Sequence, residues 1–256
     1  MELKNFFVGK ASGFVIVFAI VFAFFTTKYF LEQPATNIEV ESKNDKKVVE
    51  IIPITITHQE FKEENFSGSK PIISSESNLA ILGRKFVDEH IAEFKSWADA
   101  GVPDMRKKFG ASSAVATWTI DIEAKNLKGP KTETLLISTY AYTGGANGNS
   151  AYKAITVSNS TGKVVSLASI IKIDKQESFI AIVKKELNDW SEYGDGSGMV
   201  FGESLNEYTI NDFEDWSIDA SNLTLYFDKF EIGAGALGSV AFPIPLNKIS
   251  DILEII

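Results

Sequence analysis

The sequence predicts an α+β fold in which antiparallel strands form the sheets, two main helices pack on one side, and one transmembrane helix precedes the folded part. Three observations lead to this prediction. An uncharged apolar run occupies residues 11–27. Two later segments carry apolar residues at the three-and-four spacing of an amphipathic helix. The remaining β-rich segments come in runs and do not alternate regularly with helices, which is the α+β pattern.

The apolar run at residues 11–27 predicts a membrane anchor. It lies between Lys10 and Lys28, contains no charge, and is near the short end of the lengths that cross a hydrocarbon core of about 30 Å. A cleaved signal peptide is the alternative, because a charged segment precedes the run. No small-x-small cleavage motif follows it, and an uncleaved anchor is therefore favoured.

The domain organisation follows from this anchor. Residues 1–10 are expected in the cytoplasm, and residues 11–30 are expected to contact the lipid bilayer as a single pass through the bacterial cytoplasmic membrane. Residues 31–47 are polar and predict a linker. The folded part is expected on the extracytoplasmic side, in the periplasm or facing the cell wall, because large domains translocate largely regardless of flanking charge. Its N-terminal part would cover residues 48–148 and its C-terminal part residues 149–256.

Four strands are predicted ahead of the second helix. The first contains Pro53, which cannot donate a ladder hydrogen bond and therefore favours the edge of a sheet. Residues 125–130 hold Asn, Gly and Pro, and predict a turn. The predicted strands cover residues 48–56, 114–122, 134–142 and 152–158.

Helices are predicted at residues 74–100, with Ser77 or Asn78 as the N-cap, and at residues 178–190. The apolar face of the first helix is predicted to consist of Leu79, Leu82, Phe86, Ile91, Phe94 and Trp97. The later segments are predicted as paired strands within residues 213–227, an extended piece around residues 243–245, and a closing helix at residues 246–256.

Composition excludes several classes of function. The net charge of -9 disfavours a nucleic-acid surface, and the one dense basic cluster, Arg106-Lys107-Lys108, is too short to follow a phosphate backbone. The chain has no cysteine, which excludes a disulfide framework and a thiolate nucleophile. No cofactor is expected.

Two motifs that suggest ligands have simpler interpretations. Residues 233–238 match GxGxxG, but a dinucleotide site needs a helix after the glycines, and the sequence continues with two prolines. A turn or bulge is therefore predicted, and no nucleotide is expected. His58 and His90 lie on different predicted elements without a metal-binding spacing, and no metal site is expected.

Acidic residues occur in two further groups. The loop at residues 192–198 offers oxygen ligands that Ca²⁺ could use, but it lacks EF-hand spacing, and a mobile acidic loop is favoured. Asp212, Glu214 and Asp215 could in principle do acid/base work. Because they precede a predicted strand, a solvated acidic face is the favoured interpretation, and no catalytic residue is expected.

Two blocks of sequence resemble the PdaC/RsiV-like family of bacterial extracytoplasmic domains. That family includes the shared region of a lysozyme-receptor anti-sigma factor and the accessory N-terminal region of a peptidoglycan deacetylase. The first block is Tyr140-Ala-Tyr142-Thr-Gly-Gly-Ala-Asn-Gly148 with Thr161-Gly-Lys163, and the second includes Leu223-Thr-Leu-Tyr-Phe227, Phe230-Glu-Ile232 and Phe242-Pro-Ile-Pro-Leu246. The resemblance implies an α+β ectodomain that works at the cell wall. The chain departs from the family at Asn147, where the pattern often has His, and is expected to carry only the shared domain.

The turn between the third and fourth predicted strands is the favoured ligand site. Glycine permits backbone angles that other residues resist, and a turn built on it can present its N–H and C=O groups to a ligand. For the glycines themselves a purely structural hairpin connection is the favoured interpretation, and a recognition loop is the alternative. The expected ligand-binding residues are Tyr142, Gly144, Gly145, Asn147 and Gly148.

These observations predict a membrane-anchored, extracytoplasmic, non-catalytic binding module. The resemblance implies peptidoglycan or a lysozyme-like muramidase as its cell-wall partner. The alternatives are an envelope sensor or structural component, and a hydrolase of unrecognised type.

Overall fold

Two separate sheets form the framework of the chain. The first contains, in spatial order, β1 (Thr55–Lys62), β2 (Phe66–Ser74), β3 (Trp118–Lys128), β4 (Thr132–Tyr142) and β5 (Asn149–Ser158). The second contains β6 (Trp216–Ile218), β7 (Asn222–Phe227) and β8 (Val240–Pro245). The computed structural model describes residues 53–193, 198–201, 203 and 205–254. All of them belong to one compact unit, Val48–Ile256.

The predicted α+β class is confirmed, but the first sheet is mixed and not antiparallel. β2 pairs with β3 in parallel, while the other neighbours pair antiparallel. The 32-residue helix α1 (Asn78–Phe109) connects these two strands, and a crossover of this length lets the chain enter both strands from the same end. β2 was not predicted, because Gly68 and Pro71 give its sequence the composition of a loop.

The strand boundaries differ from those predicted in several places. β3 begins at Trp118 and not at residue 114, because Ala114–Ala116 form a 3₁₀ turn. Among the described residues β1 begins at Thr55, after Pro53, and it lies at an edge of the sheet as expected, while residues 48–52 of the predicted strand lie outside the described residues. β3 continues through Lys128, and the turn to β4 is reduced to residues 129–131. The register pairs Lys128 with Glu133, which continues the ladder over part of the predicted turn.

Helix α1 is longer than predicted. The Ser77 side chain accepts a hydrogen bond from the N–H of Ala80, so that the predicted cap is confirmed. The helix passes Pro103 without stopping and ends where Gly110 adopts a φ of 89°. Three basic residues occupy its last turn, where they interact favourably with the negative end of the helix dipole.

The buried face of α1 is rotated from the predicted stripe. Leu79 and Phe94 are buried as expected, but Leu82, Phe86, Ile91 and Trp97 are only half-buried. The most buried positions also include small residues, which let the helix approach the sheet closely. The buried residues are Leu79, Ala80, Gly83, Val87, Phe94, Ala98 and Val102.

Contrary to the prediction, the two helices do not pack on one side of a common sheet. Helix α2 (Gln176–Tyr193) packs on the second sheet and contributes Phe179, Val183 and Leu187 to a separate hydrophobic core. Helix α1 packs on the first sheet around a core that contains Phe94 and Trp118. Each sheet therefore has its own helix and its own core.

The predicted closing helix at residues 246–256 is wrong over the residues that the structure describes. Only Leu246–Lys248 forms a short 3₁₀ turn. The chain then runs beside Ile171, with which Leu253 forms a β-bridge. The N–H of Lys172 donates to the carbonyl oxygen of Ile252 at 2.9 Å, so pairing with a distant segment replaces helical hydrogen bonds.

The predicted anchor at residues 11–30 and the linker at residues 31–47 lie outside the described residues. Within the described part of the chain, no helix is long and apolar enough to cross a membrane.

Candidate functional site

The loop between β4 and β5 is held rigidly at both ends. Gly144 has a φ of 86°, and a Cβ at this position would lie 2.3 Å from the carbonyl oxygen of Val115. Gly148 is buried, and a Cβ there would lie 2.4 Å from the ring of Tyr140. The first position therefore requires glycine, whereas a side chain at Gly148 would have to displace the end of the Tyr140 side chain. The predicted turn is present, and its two ends have a structural role.

The tip of this loop is open to solvent. Gly145 and Asn147 are exposed, while Tyr142 at the end of β4 is half-buried. The nearest atom to a Cβ built on Gly145 would be the carbonyl oxygen of Asn147, at 3.6 Å. Among the five predicted ligand-binding residues, these two are thus free to face a partner.

Lys229 ties the loop to the segment that follows β7. Its ammonium group donates to the carbonyl oxygen of Gly148 at 2.6 Å, and its backbone N–H donates to that of Ser150 at 3.2 Å. The N–H of Gly148 in turn donates to the hydroxyl of Tyr140 at 3.3 Å. The ammonium also lies 5.0 Å from the ring centroid of the exposed Phe230. The lysine was not predicted, because its contacts join residues about 80 positions apart.

An open cavity of about 180 Å³ lies beside the loop, on the face of the first sheet that is turned away from α1. Tyr140, whose side chain is 46% exposed, stands opposite Asp121 on β3 and Ser150 on β5. We call this surface the outer-face patch. Its members are Asp121, Glu123, Ser138, Tyr140, Ser150, Tyr152 and Ser239.

Carboxylates join the two sheets along the edge strand β5. The N–H of Tyr152 donates to Oδ1 of Asp228 at 2.7 Å, and the N–H of Ala154 donates to Oδ1 of Asp215 at 2.7 Å. Lys153 approaches Asp215 to 3.1 Å. The predicted solvated face is therefore wrong for Asp215, which is largely buried and accepts a backbone hydrogen bond that a neighbouring strand would otherwise accept.

The charges in this cluster are shifted by their surroundings. Burial raises the pKa of Asp228 to about 6, and burial also raises the pKa of Glu231 to about 7. Both oxygens of Glu231 are occupied, one by the hydroxyl of Tyr208 at 2.8 Å and the other by the N–H of Asp228 at 2.6 Å. Burial alone would lower the pKa of Lys153, but Asp215 and Glu214 outweigh it and raise that pKa. Lys153 is therefore an ammonium ion at neutral pH.

The remaining predicted motifs form no site with the outer-face patch. The predicted turn at residues 233–238 is confirmed, with a 3₁₀ segment at Gly235–Leu237 and a φ of 72° at Gly238. His58 is exposed on β1, whereas His90 stacks on Phe86, and burial lowers its pKa to about 4. The acidic loop at residues 192–198 lies mostly outside the described residues. Across the described ranges, no group of three or more acidic or His side chains is placed to hold a metal ion.

Comparisons with known proteins find a similarity over part of the chain. Residues 168–247 match DUF3298, which is described as a protein of unknown function. None of the curated proteins searched matches the chain.

Two solved structures share the fold. A DUF3298 family member from Bacteroides fragilis NCTC 9343 has a TM-score of 0.56 and 14% identity, over 80% of this chain and 94% of its own. A DUF3298 family protein from Pseudomonas aeruginosa PAO1 has a TM-score of 0.52 and 14% identity, over 79% of this chain and 94% of its own. Residues 168–247 are thus similar to DUF3298, and the fold is similar to that of two solved DUF3298 structures.

Proposed function

We propose that this protein is a membrane-anchored, extracytoplasmic and non-catalytic binding module of the cell envelope. Its partner is peptidoglycan or a lysozyme-like muramidase, and it binds through the tip of the 143–148 loop and the outer-face patch. The resemblance to the PdaC/RsiV-like family supports this assignment, and the DUF3298 match is consistent with it. The apolar residues 11–30 would anchor the module in the cytoplasmic membrane.

One observation supports binding at this place above all others. The loop keeps an exposed tip between supported ends, since the backbone of Val115 leaves no room for a side chain at Gly144 and Lys229 holds the carbonyl oxygen of Gly148. Loops that a rigid scaffold presents in this way commonly bind partners. Asn147 at the tip offers both a donor and an acceptor.

The hydrogen bonds that Asp215, Asp228 and Glu231 accept within the fold support a non-catalytic function. Asp215 and Asp228 each accept a backbone hydrogen bond from β5, and Glu231 accepts one from Asp228. A general acid or base must reach the reacting group of a substrate, and these oxygens already have partners within the fold.

The test is a binding assay with the full-length chain in detergent. We expect saturable binding to insoluble peptidoglycan or to immobilised lysozyme, without turnover of either. Asn147→Ala should weaken that binding about fivefold or more, the scale of one lost hydrogen bond. Asn159→Ala is the matched control, because this exposed asparagine follows the opposite end of β5.

An unchanged affinity of Asn147→Ala would remove the loop tip from the binding surface. Absence of binding to both partners would overturn the proposed function. Membrane attachment is tested separately by carbonate extraction, in which the full-length protein should stay in the pellet. Recovery of a soluble form that begins after residue 27 would show a cleaved signal instead.

A hydrolase is the second candidate, because perturbed carboxyl groups cluster at catalytic sites. The raised pKa values of Asp228 and Glu231 are the observation that favours it. Release of soluble fragments from peptidoglycan, abolished in Glu231→Gln without a change in the melting temperature, would establish this activity and contradict a non-catalytic module.

A further inference from the structure

The outer-face patch combines one accessible aromatic ring with polar groups on every side. The side chains of Asp121 and Glu123 are exposed, whereas those of the alternating residues Ile120 and Ile122 are buried against α1. The strand register places Asp121 directly across from Tyr140. Directly paired side chains in a sheet lie about 5 Å apart, so the carboxylate and the ring border the same small volume.

The ring of Tyr140 is fixed before any ligand arrives. Its hydroxyl accepts a hydrogen bond from the N–H of Gly148, and its ring atoms lie against the Cα of the same glycine. Gly148 is itself held through its carbonyl oxygen by Lys229. A contact residue that is already ordered loses little rotamer entropy on binding. The tyrosine therefore has the properties of a preformed stacking platform.

The second sheet closes one side of the cavity with another hydroxyl. Ser239 lies just before β8, and its N–H donates to the hydroxyl oxygen of Ser150 at 3.2 Å. Ser138, Ser150 and Ser239 thus add hydroxyl groups around the two carboxylates. Hydroxyl groups both donate and accept, and carboxylates accept strongly.

We infer that the outer-face patch binds one sugar residue of a glycan, with an apolar face of the sugar ring on Tyr140 and its hydroxyl groups hydrogen-bonded to Asp121, Glu123 and the serines. A pyranose ring presents this combination of a C–H face and a rim of hydroxyl groups. The volume of about 180 Å³ is below the roughly 300–1,000 Å³ of sites for larger organic ligands, and it suits a single ring. The inference rests on the proposed function and selects the glycan over a protein partner.

A protein partner needs a different surface. Its affinity comes from a few large side chains buried in fully desolvated pockets, which are lined mainly by apolar and aromatic groups. Here two tyrosines and Ala151 are the aromatic and apolar residues of the cavity lining, and residues with carboxylates and hydroxyls make up the rest. Such walls lose hydrogen bonds to water when an apolar side chain covers them, whereas sugar hydroxyl groups replace those bonds.

Calorimetric titration of the full-length chain with chitotetraose, a neutral β-1,4-linked N-acetylglucosamine oligosaccharide, tests the inference. We expect measurable binding that Tyr140→Ala and Glu123→Gln each weaken about tenfold, as for loss of a main contact. Tyr140→Phe keeps the ring and should stay within about threefold of the parent. Phe109→Ala is the matched control, because it removes a similarly exposed ring at the end of α1 and should have no effect.

The outcomes separate this inference from the proposed function. Thermal melts of each variant show whether folding is retained, and Glu123→Gln gives the decisive titration if Tyr140→Ala unfolds. Binding of chitotetraose that none of the patch variants changes would overturn the inference but leave the proposed function standing. Binding to lysozyme but not to chitotetraose, with the lysozyme binding lost in Tyr140→Ala, would also overturn the inference and leave the proposed function standing. Absence of binding to chitotetraose, peptidoglycan and lysozyme would overturn both.

Discussion

Two adjacent glycines in the 143–148 loop have opposite steric surroundings. Gly144 has a φ of 86°, and a Cβ there would overlap the carbonyl oxygen of Val115. Gly145 has open space around its Cα. The sequence motif does not distinguish these two residues. The contact that distinguishes them comes from Val115, in a segment before β3.

Substitution of the two glycines should therefore separate structure from recognition. Gly144→Ala should lower the free energy of unfolding by about 1–3 kcal/mol, through backbone strain and the close contact. Gly145→Ala should change it by less than about 0.5 kcal/mol, as is usual for an exposed position. Urea denaturation of both variants measures the difference. Equal destabilisation would show that Gly145 is also required by the fold.

Asp228 makes the stability of the fold depend on pH. Burial raises its pKa to about 6 in the folded protein, above the ordinary 3.8, so the folded state binds this proton more tightly than the unfolded state. The stabilisation is complete below about pH 4 and is lost as the pH rises through about 6. After allowance for its partial exposure, the effect should be on the order of 1–2 kcal/mol.

The comparison of the parent with Asp228→Asn isolates this contribution. The asparagine cannot titrate, and its side-chain oxygen can still accept from the N–H of Tyr152. Melting temperatures measured from pH 4 to pH 7 should fall more steeply for the parent than for Asp228→Asn. Parallel curves would show that the carboxyl group has its ordinary pKa in the folded protein.

At the scale of elements, helix α1 shows where periodicity succeeds and where it misleads. The three-and-four spacing correctly predicts an amphipathic helix with a cap at Ser77. The spacing does not give the orientation of the helix about its axis. The prediction placed the largest apolar residues against the sheet. Close packing instead favours small residues: a Cβ on Gly83 would lie 2.1 Å from Leu135, and one on Gly101 would lie 2.8 Å from the ring of Trp118.

Two phenylalanines of α1 should differ in their contribution to stability. Phe94 is fully buried, with its ring centroid 5.3 Å from that of Phe66 and 6.2 Å from that of Trp118. Phe94→Ala should therefore cost about 3–5 kcal/mol. Phe86 is half-buried beside His90, and Phe86→Ala should cost about 1–2 kcal/mol, in proportion to the smaller area it removes from water. Chemical denaturation of both variants ranks them, and the reverse order would show that Phe86 and not Phe94 is the more deeply buried ring.

At the scale of the whole molecule, local sequence signals predict the fold class and most elements, but not how the two halves meet. The antiparallel meander of β3, β4 and β5 is recognisable from its alternation and its turns. The contacts between the sheets join β5 to Asp215 and Asp228 in the segments of the second sheet. These partners are far apart in the sequence: Lys153 pairs with Asp215, and the N–H of Tyr152 donates to Asp228. A single sequence gives no sign that these charges meet, and an acidic residue before a strand is on average solvated. The outer-face patch was not predicted for the same reason, since its residues come from three strands and from one loop before β8.

The ion pair of Lys153 and Asp215 should matter more than a surface pair. The two side chains are 18% and 20% exposed, and removal of Lys153 leaves the carboxylate of Asp215 largely buried without that cation. Lys153→Met should cost on the order of 2–4 kcal/mol. The double variant Lys153→Met/Asp215→Asn should lose less than the sum of the single variants, because the buried carboxylate of Asp215 is then neutral and no longer lacks its cation. Additive losses in a denaturation cycle would show that the two residues act independently.

The use of carboxylates along β5 also limits what other molecules can do there. An edge strand ordinarily presents unpaired N–H groups on which a strand of another chain can continue the sheet, and this is a common route to aggregation. On β5 two of those groups, at Tyr152 and Ala154, already donate to side chains. A side-chain carboxylate accepts the hydrogen bond of a backbone N–H but does not offer the row of backbone groups on which another strand could pair. Within the described residues, the β5 edge of the first sheet therefore offers fewer free N–H groups to a further strand than an ordinary edge does.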